Sequence, residues 1–170
     1  AQVRHIKRLI FHEHYSAVRR INDIALLQLD QPVHCNHYIQ LACVPDNSLQ
    51  VPGMSPCYVG GWGATYEGAL ELPHILQEVA VTLIDNHICN SSEWNGELVK
   101  DTHLCAGYQQ GGVGTCQGDS GGPLICKDRI GDYYWLVGVT NWGYGCARMQ
   151  LPGVYSSVQR YYNWIVTHLS

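Results

Sequence analysis

Eight cysteines in 170 residues constrain this chain more than any other feature, because each disulfide they form holds two distant stretches of backbone within a few ångströms of each other. None belongs to a Cys-x-x-Cys pair, and no cysteine and histidine cluster has zinc-ligand spacing. The pattern therefore points to disulfides and an oxidising compartment, not to a metal-held fold. The expected location is outside the cell or in a secretory vesicle lumen. The sequon Asn90-Ser91-Ser92 fits that compartment and makes Asn90 a candidate glycosylation site. No apolar run reaches membrane-spanning length, and the start Ala1-Gln2-Val3-Arg4 has no signal-peptide character. A secreted chain with such a start is expected to be incomplete at its N-terminus.

Only 14% of residues are charged, against 18 Gly, 7 Pro, 5 Trp and 11 Tyr, a balance that suits turn-rich β structure and not helical bundles. Short apolar stretches bounded by Gly, Pro, Asn and Asp predict strands at residues 6–11, 25–29, 57–61, 77–83, 103–106, 123–126, 135–141 and 153–156. Within the fourth, Gln77, Val79, Val81 and Leu83 alternate with Glu78, Ala80 and Thr82, the period of a strand with one wetter face. Helical periodicity is convincing once. Tyr161, Trp164, Ile165, His168 and Leu169 fall on one stripe of a short terminal helix. Residues 31–53, with Pro32, Pro45 and Pro52 and no clear period, read as the connection between two units.

The net charge of −4 implies no general attraction to nucleic acid or anionic membrane. Charge is nevertheless uneven. Arg4, Lys7, Arg8, Arg19 and Arg20 stand against Glu13 in the first twenty residues, a local +4 that reads either as a solvated face or as a site for a polyanion such as a glycan. His12 and His14 read as surface residues, since no third metal ligand lies nearby.

Residues 115–124 read Thr-Cys-Gln-Gly-Asp-Ser-Gly-Gly-Pro-Leu. This segment resembles, position by position, the active-site loop of the chymotrypsin-like serine proteases, whose triad is a worked template of nucleophilic catalysis. A second match is Ile21-Asn22-Asp23-Ile24-Ala25-Leu26-Leu27, which resembles the triad-aspartate segment of the same family and lies 97 residues earlier. Gly60-Gly61-Trp62-Gly63, Asn141-Trp142-Gly143 and Pro152-Gly153-Val154-Tyr155 extend the resemblance over essentially the whole chain. It implies an all-β double antiparallel barrel with the first barrel only partly present: residues 1–35 from that barrel, 36–54 connecting, and 55–170 the second barrel plus a C-terminal helix. It also implies peptide-bond hydrolysis through an acyl-enzyme. Ser120 would be the nucleophile, Asp23 the residue orienting the base, and the N–H groups of Gly118 and Ser120 the oxyanion hole. No cofactor or metal is implied, and the partner would be a polypeptide substrate.

The resemblance further implies disulfides Cys57–Cys126, Cys89–Cys105 and Cys116–Cys146. Cys35 and Cys43 remain, and they resemble the pair by which the acrosin branch of the family holds a short light chain; a Cys35–Cys43 bridge within this chain is the other possibility. On that resemblance the compartment would be the acrosome. The family's catalytic histidine sits in an Ala-Ala-His-Cys segment before the aspartate, and none of the nine histidines here has that setting. Without the base the chain is expected to show no useful turnover. The family's new N-terminus is missing as well, leaving Asp119 without its cation and Ile24, Leu26 and Leu29 without the strands they would face. Trypsin-like members hold an Asp six residues before the nucleophile, where this chain has Gly114. With Thr115, Trp142, Gly143 and Gly153 around it, the specificity pocket is expected to be open and uncharged, because a buried guanidinium without an anion is costly. The competing function is a non-catalytic relative that binds a glycan or protein partner.

Overall fold

The computed structural model describes residues 1–169, and its eight strands follow the expected segments, with β4 to β8 each running a residue further at one or both ends. Strands β1 (Ile6–Phe11) and β2 (Ala25–Leu29) pair antiparallel as a two-stranded sheet. Strands β3 (Cys57–Gly61), β4 (Gln77–Ile84), β5 (His103–Gly107), β6 (Pro123–Lys127), β7 (Tyr134–Trp142) and β8 (Gly153–Ser157) close a barrel in the order β3-β4-β5-β8-β7-β6. The chain ends in a 3-10 turn at Gln159–Tyr161 and helix α2 (Tyr162–Leu169). The fold is thus the all-β, chymotrypsin-like one, with a closed six-stranded barrel, a second, two-stranded sheet and a short C-terminal helix. Closure matters because it leaves the six strands with no unpaired edge.

Alternation along the strands builds the core. In β4, Val81 is buried and Val79 and Leu83 are half-buried, whereas Glu78, Ala80 and Thr82 are exposed. Leu124 of β6, Val137 of β7 and Tyr155 of β8 are fully buried against them. Burial pushes the Tyr155 phenol up to about 12. Three disulfides join Cys57–Cys126, Cys89–Cys105 and Cys116–Cys146. The first links residues that already face each other across β3 and β6. Because it closes a loop of 69 residues, chain entropy assigns it about 4 kcal/mol.

Residues 36–54, the expected connection, pack closely: Val51 and Met54 join the barrel core, Pro45 is buried, and Gln159 donates to the carbonyl oxygen of Leu49 at 2.8 Å. Several expectations change. Ile24 and Leu26 do not stand bare; they pack on Val158, Tyr161 and Ile165 of the terminal segment, and only Leu29 of the three is exposed. Leu169 leaves the buried stripe and is 72% exposed. His12 is not a surface residue, for its ring stacks on Trp164 at 5.1 Å and meets Tyr161 edge-on at 5.5 Å. A single helical turn, α1 (Asn86–Cys89), escapes sequence periodicity because four residues are too few to show it. Asp85 caps it by accepting from the His87 N–H at 2.7 Å.

Candidate active site

The loop carrying Ser120 runs from the end of β5 at Gly107 to the start of β6 at Pro123. Gly118 and Gly121 have φ of 96° and 82°, a conformation glycine adopts without the strain a Cβ would bring. Asp119 turns inward. Its carboxylate accepts from the Gly63 N–H at 2.8 Å and from the Cys116 N–H at 3.0 Å, so it is held by main-chain donors and is not left unpartnered. Gly61 and Gly63 make this possible, since a Cβ on either would overlap the carboxylate. The far end of the loop is tied to β7 by Gly121 N–H to Thr140 O and Thr140 N–H to Gly122 O, both 2.9 Å, while the Cys116–Cys146 bridge clamps its near end. Ser120 is thereby held exposed on a braced turn. Among the described residues, the N–H groups of Gly118 and Ser120 donate to no protein acceptor.

Ser120 opens onto a cleft of about 160 Å³ whose walls include Thr115, Trp142, Gly143, Ala147 and Gly153. None of its lining side chains is ionisable. A Cβ on Gly153 would crowd the Tyr155 and Thr115 hydroxyls, which are themselves 3.3 Å apart, so glycine keeps this wall thin. Gly114, the expected pocket base, borders an adjoining space. It lines a neighbouring cavity of about 360 Å³ together with Gly61, Gly63 and Asp119, and a Cβ on it would point at Ala147, which with Thr115 and Cys116 lines both cavities.

Asp23 precedes β2, half-buried, and reaches the site through its backbone. The Ser156 hydroxyl donates to the Asp23 carbonyl oxygen at 2.7 Å and accepts from Asn141 Nδ2 at 3.2 Å. Asn141 of β7 lines the Ser120 cleft, so this relay links the Asp23 turn to it. Burial pushes the Asp23 carboxyl above the usual carboxylate range, opposed by the nearby His103.

His103 is the residue sequence reasoning passed over. Only 1% exposed, it accepts from the Lys100 N–H at Nδ1 (3.1 Å), which makes Nε2 the donor to the Arg20 carbonyl oxygen at 2.8 Å. Burial lowers its pKa, partly offset by the bond to Arg20. Both ring nitrogens are engaged, so this imidazole is bound into the structure. The one available signal was a histidine inside the apolar run His103-Leu104-Cys105-Ala106, since a buried polar ring must find partners. Arg20, whose carbonyl it holds, lays its guanidinium 4.8 Å from the centroid of Trp142 and 5.4 Å from that of Tyr144.

Asn90 is half-buried, and its Oδ1 accepts from the Val99 N–H at 2.9 Å. Cys35 is exposed and Cys43 half-buried, both as free thiols and not joined to each other. Arg4 is engaged at the foot of the two-stranded sheet, donating to the carbonyl oxygen of Pro32 at 2.8 and 2.9 Å.

Known proteins with sequences like this one agree with the fold. Residues 1–165 match the trypsin family. Transmembrane protease serine 11B of Homo sapiens is 42% identical over 164 residues, covering 96% of this chain and 39% of that protein. Transmembrane protease serine 11C of Mus musculus is 41% identical over 164 residues, 96% of this chain and 38% of that protein. Transmembrane protease serine 9 of Rattus norvegicus is 40% identical over 161 residues, 95% of this chain and 15% of that protein. The chain therefore spans well under half the length of these curated relatives. No helix among the described residues is long and apolar enough to cross a membrane.

Proposed function

The chain belongs to the trypsin family, and on that premise we propose that it carries the nucleophile of a serine endopeptidase acting in an oxidising compartment, outside the cell or in a secretory lumen. Ser120 Oγ attacks the peptide carbonyl, the Gly118 and Ser120 N–H groups receive the oxyanion, and Asp23 orients a histidine base supplied from outside these 170 residues. The observation that carries this reading is the exposed Ser120 on a braced turn, beside two uncommitted N–H donors and an uncharged cleft. His103 is not that base, because its two ring nitrogens are already bonded to Lys100 and Arg20. Alone, the chain should therefore be without useful turnover.

Cleavage after apolar or aromatic residues follows from the cleft walls. A guanidinium entering between Thr115, Trp142 and Gly153 would meet no carboxylate, a desolvation cost of several kcal/mol, and Gly114 carries none. The free Cys35 and Cys43 are suited to a disulfide-linked second chain. Asn90 is the glycosylation acceptor of this reading, and an acrosomal site would follow if the second chain is of the acrosin kind. The binding-only alternative draws on the basic N-terminal residues. It is weakened because Arg4 is spent on the Pro32 carbonyl and does not point to a partner.

The test is kinetic. Assembled with a segment that supplies the histidine, the protein should cleave peptide esters after Phe or Leu in preference to Arg. Ser120→Ala should lower kcat by roughly three or more orders of magnitude. Hydrolysis by the 170-residue chain alone, abolished by the same substitution, would show that no outside base is needed.

A further inference from the structure

Arg20 is strained, oriented and uncommitted at once, and that combination is unusual for a surface arginine. Its φ of 53° lies in the left-handed region, which a non-glycine residue holds only when its surroundings insist. The surroundings do insist: His103 grips its carbonyl oxygen, and the next turn is fixed by Asn22, whose N–H donates to the Tyr161 hydroxyl at 3.1 Å. The result is a guanidinium laid over Trp142 and Tyr144, with Trp142 also a wall of the Ser120 cleft. Stacking uses the flat face of the guanidinium and leaves its N–H edges to point outward. Among the described residues, no carboxylate lies within salt-bridge distance of it. On its other side Arg20 borders a groove of about 930 Å³, where Arg19 and Lys100 add two cations and Asp101 a single anion.

From this geometry we propose that Arg20 forms a subsite for an acidic side chain, so that the cleft takes polypeptides carrying Asp or Glu near the residue it anchors. The inference rests on the reading of the Ser120 cleft as the peptide-binding cleft. An extended peptide rises about 3.3 Å per residue, so an acid within about four positions of the anchor comes within reach of Arg20. A planar fork fixed on an aromatic platform meets a carboxylate in a bidentate manner without first losing side-chain freedom. His103 is the positioning residue, acting through the Arg20 main chain.

Binding tests this without turnover. Fluorescein-labelled peptides with a central Phe, carrying Glu or Gln at each of the four positions on either side, are titrated against the 170-residue chain by fluorescence anisotropy. At one or two positions the Glu peptide should bind about three- to tenfold tighter than its Gln twin. The gap should shrink as salt is raised to about 0.5 M. Arg20→Gln should make the twins equal, and Arg20→Lys should keep only part of the gap. Should Arg20→Gln disturb the loop, the salt series on the unaltered chain still decides. Equal binding of Glu and Gln twins at every position overturns the subsite and leaves the cleft standing. Failure of every Phe peptide to bind overturns both.

Discussion

Two regions of this molecule are built from the same kind of strand and differ in how they are finished. From Cys57 to Ser157 six strands close on themselves, and Leu124, Val137 and Tyr155 are wholly removed from water. From Ile6 to Leu29 two strands pair only with each other, and Ile6, Leu9, Phe11 and Leu27 remain 45–64% exposed. The apolar content of the strands is similar, so composition does not separate them. What separates them is whether a sheet has a partner layer, since a two-stranded ribbon cannot bury its own faces. The open sheet is held by one end only, where Ile24 and Leu26 meet Val158, Tyr161 and Ile165 and where Trp164 Nε1 donates to Glu13 at 2.9 Å.

The contrast can be broken or sharpened by measurement. The largest effect is expected in the closed barrel. Leu124→Ala should cost about 3 kcal/mol in denaturant unfolding, because the packed site cannot collapse, while Leu27→Ala in the open sheet should cost under about 0.5 kcal/mol. Comparable losses at the two positions would mean that the sheet has a partner layer after all.

Next comes the joint between the regions at His103, whose ring spans 83 residues to hold Arg20. His103→Ala leaves the Arg20 carbonyl and the Lys100 N–H unpaired and should cost about 2 kcal/mol. Its pH dependence has a definite sign. Burial holds the folded-state pKa below the unfolded value of 6.5, so the unfolded chain takes up the proton first. Stability is therefore full above about pH 6.5 and falls as pH drops from there toward the folded pKa. The alanine variant should lose that slope in unfolding curves taken between about pH 5 and 7. Asp23 slopes the other way over a more acidic range, since its raised pKa lets the folded state hold a proton that the unfolded state releases.

A smaller effect than at His103 lies at Tyr161, whose hydroxyl accepts from the Asn22 N–H and donates to Asn22 Oδ1, both at 3.1 Å. Tyr161→Phe should lower stability by about 1 kcal/mol. Hydrogen exchange should show faster opening of residues 6–29 than of the barrel, and uniform exchange across both would erase the distinction drawn here.

Much of this was legible in the sequence. The strands stand where Gly, Pro and Asn cut the chain into apolar stretches, because turn chemistry is local. Ser120 and Asp23 became candidates because loops of this kind are short enough to be read as motifs. The misreadings share one cause. Ile24 and Leu26 look unpartnered yet pack on the terminal segment, and His12 looks like a surface histidine yet stacks on Trp164. In each case the partner lies far along the chain.

The sequence by itself determined where the strands stand along the chain, the turn that carries Ser120 and the lack of an acidic side chain at Gly114, all of which depend on residues close in the chain. Only the tertiary structure decided which nitrogen of His103 donates, that Asp119 is satisfied by Gly63 and Cys116, and that Arg20 rests on Trp142. Those are contacts between segments brought together by barrel closure, and no local pattern of residues encodes which distant atoms will meet.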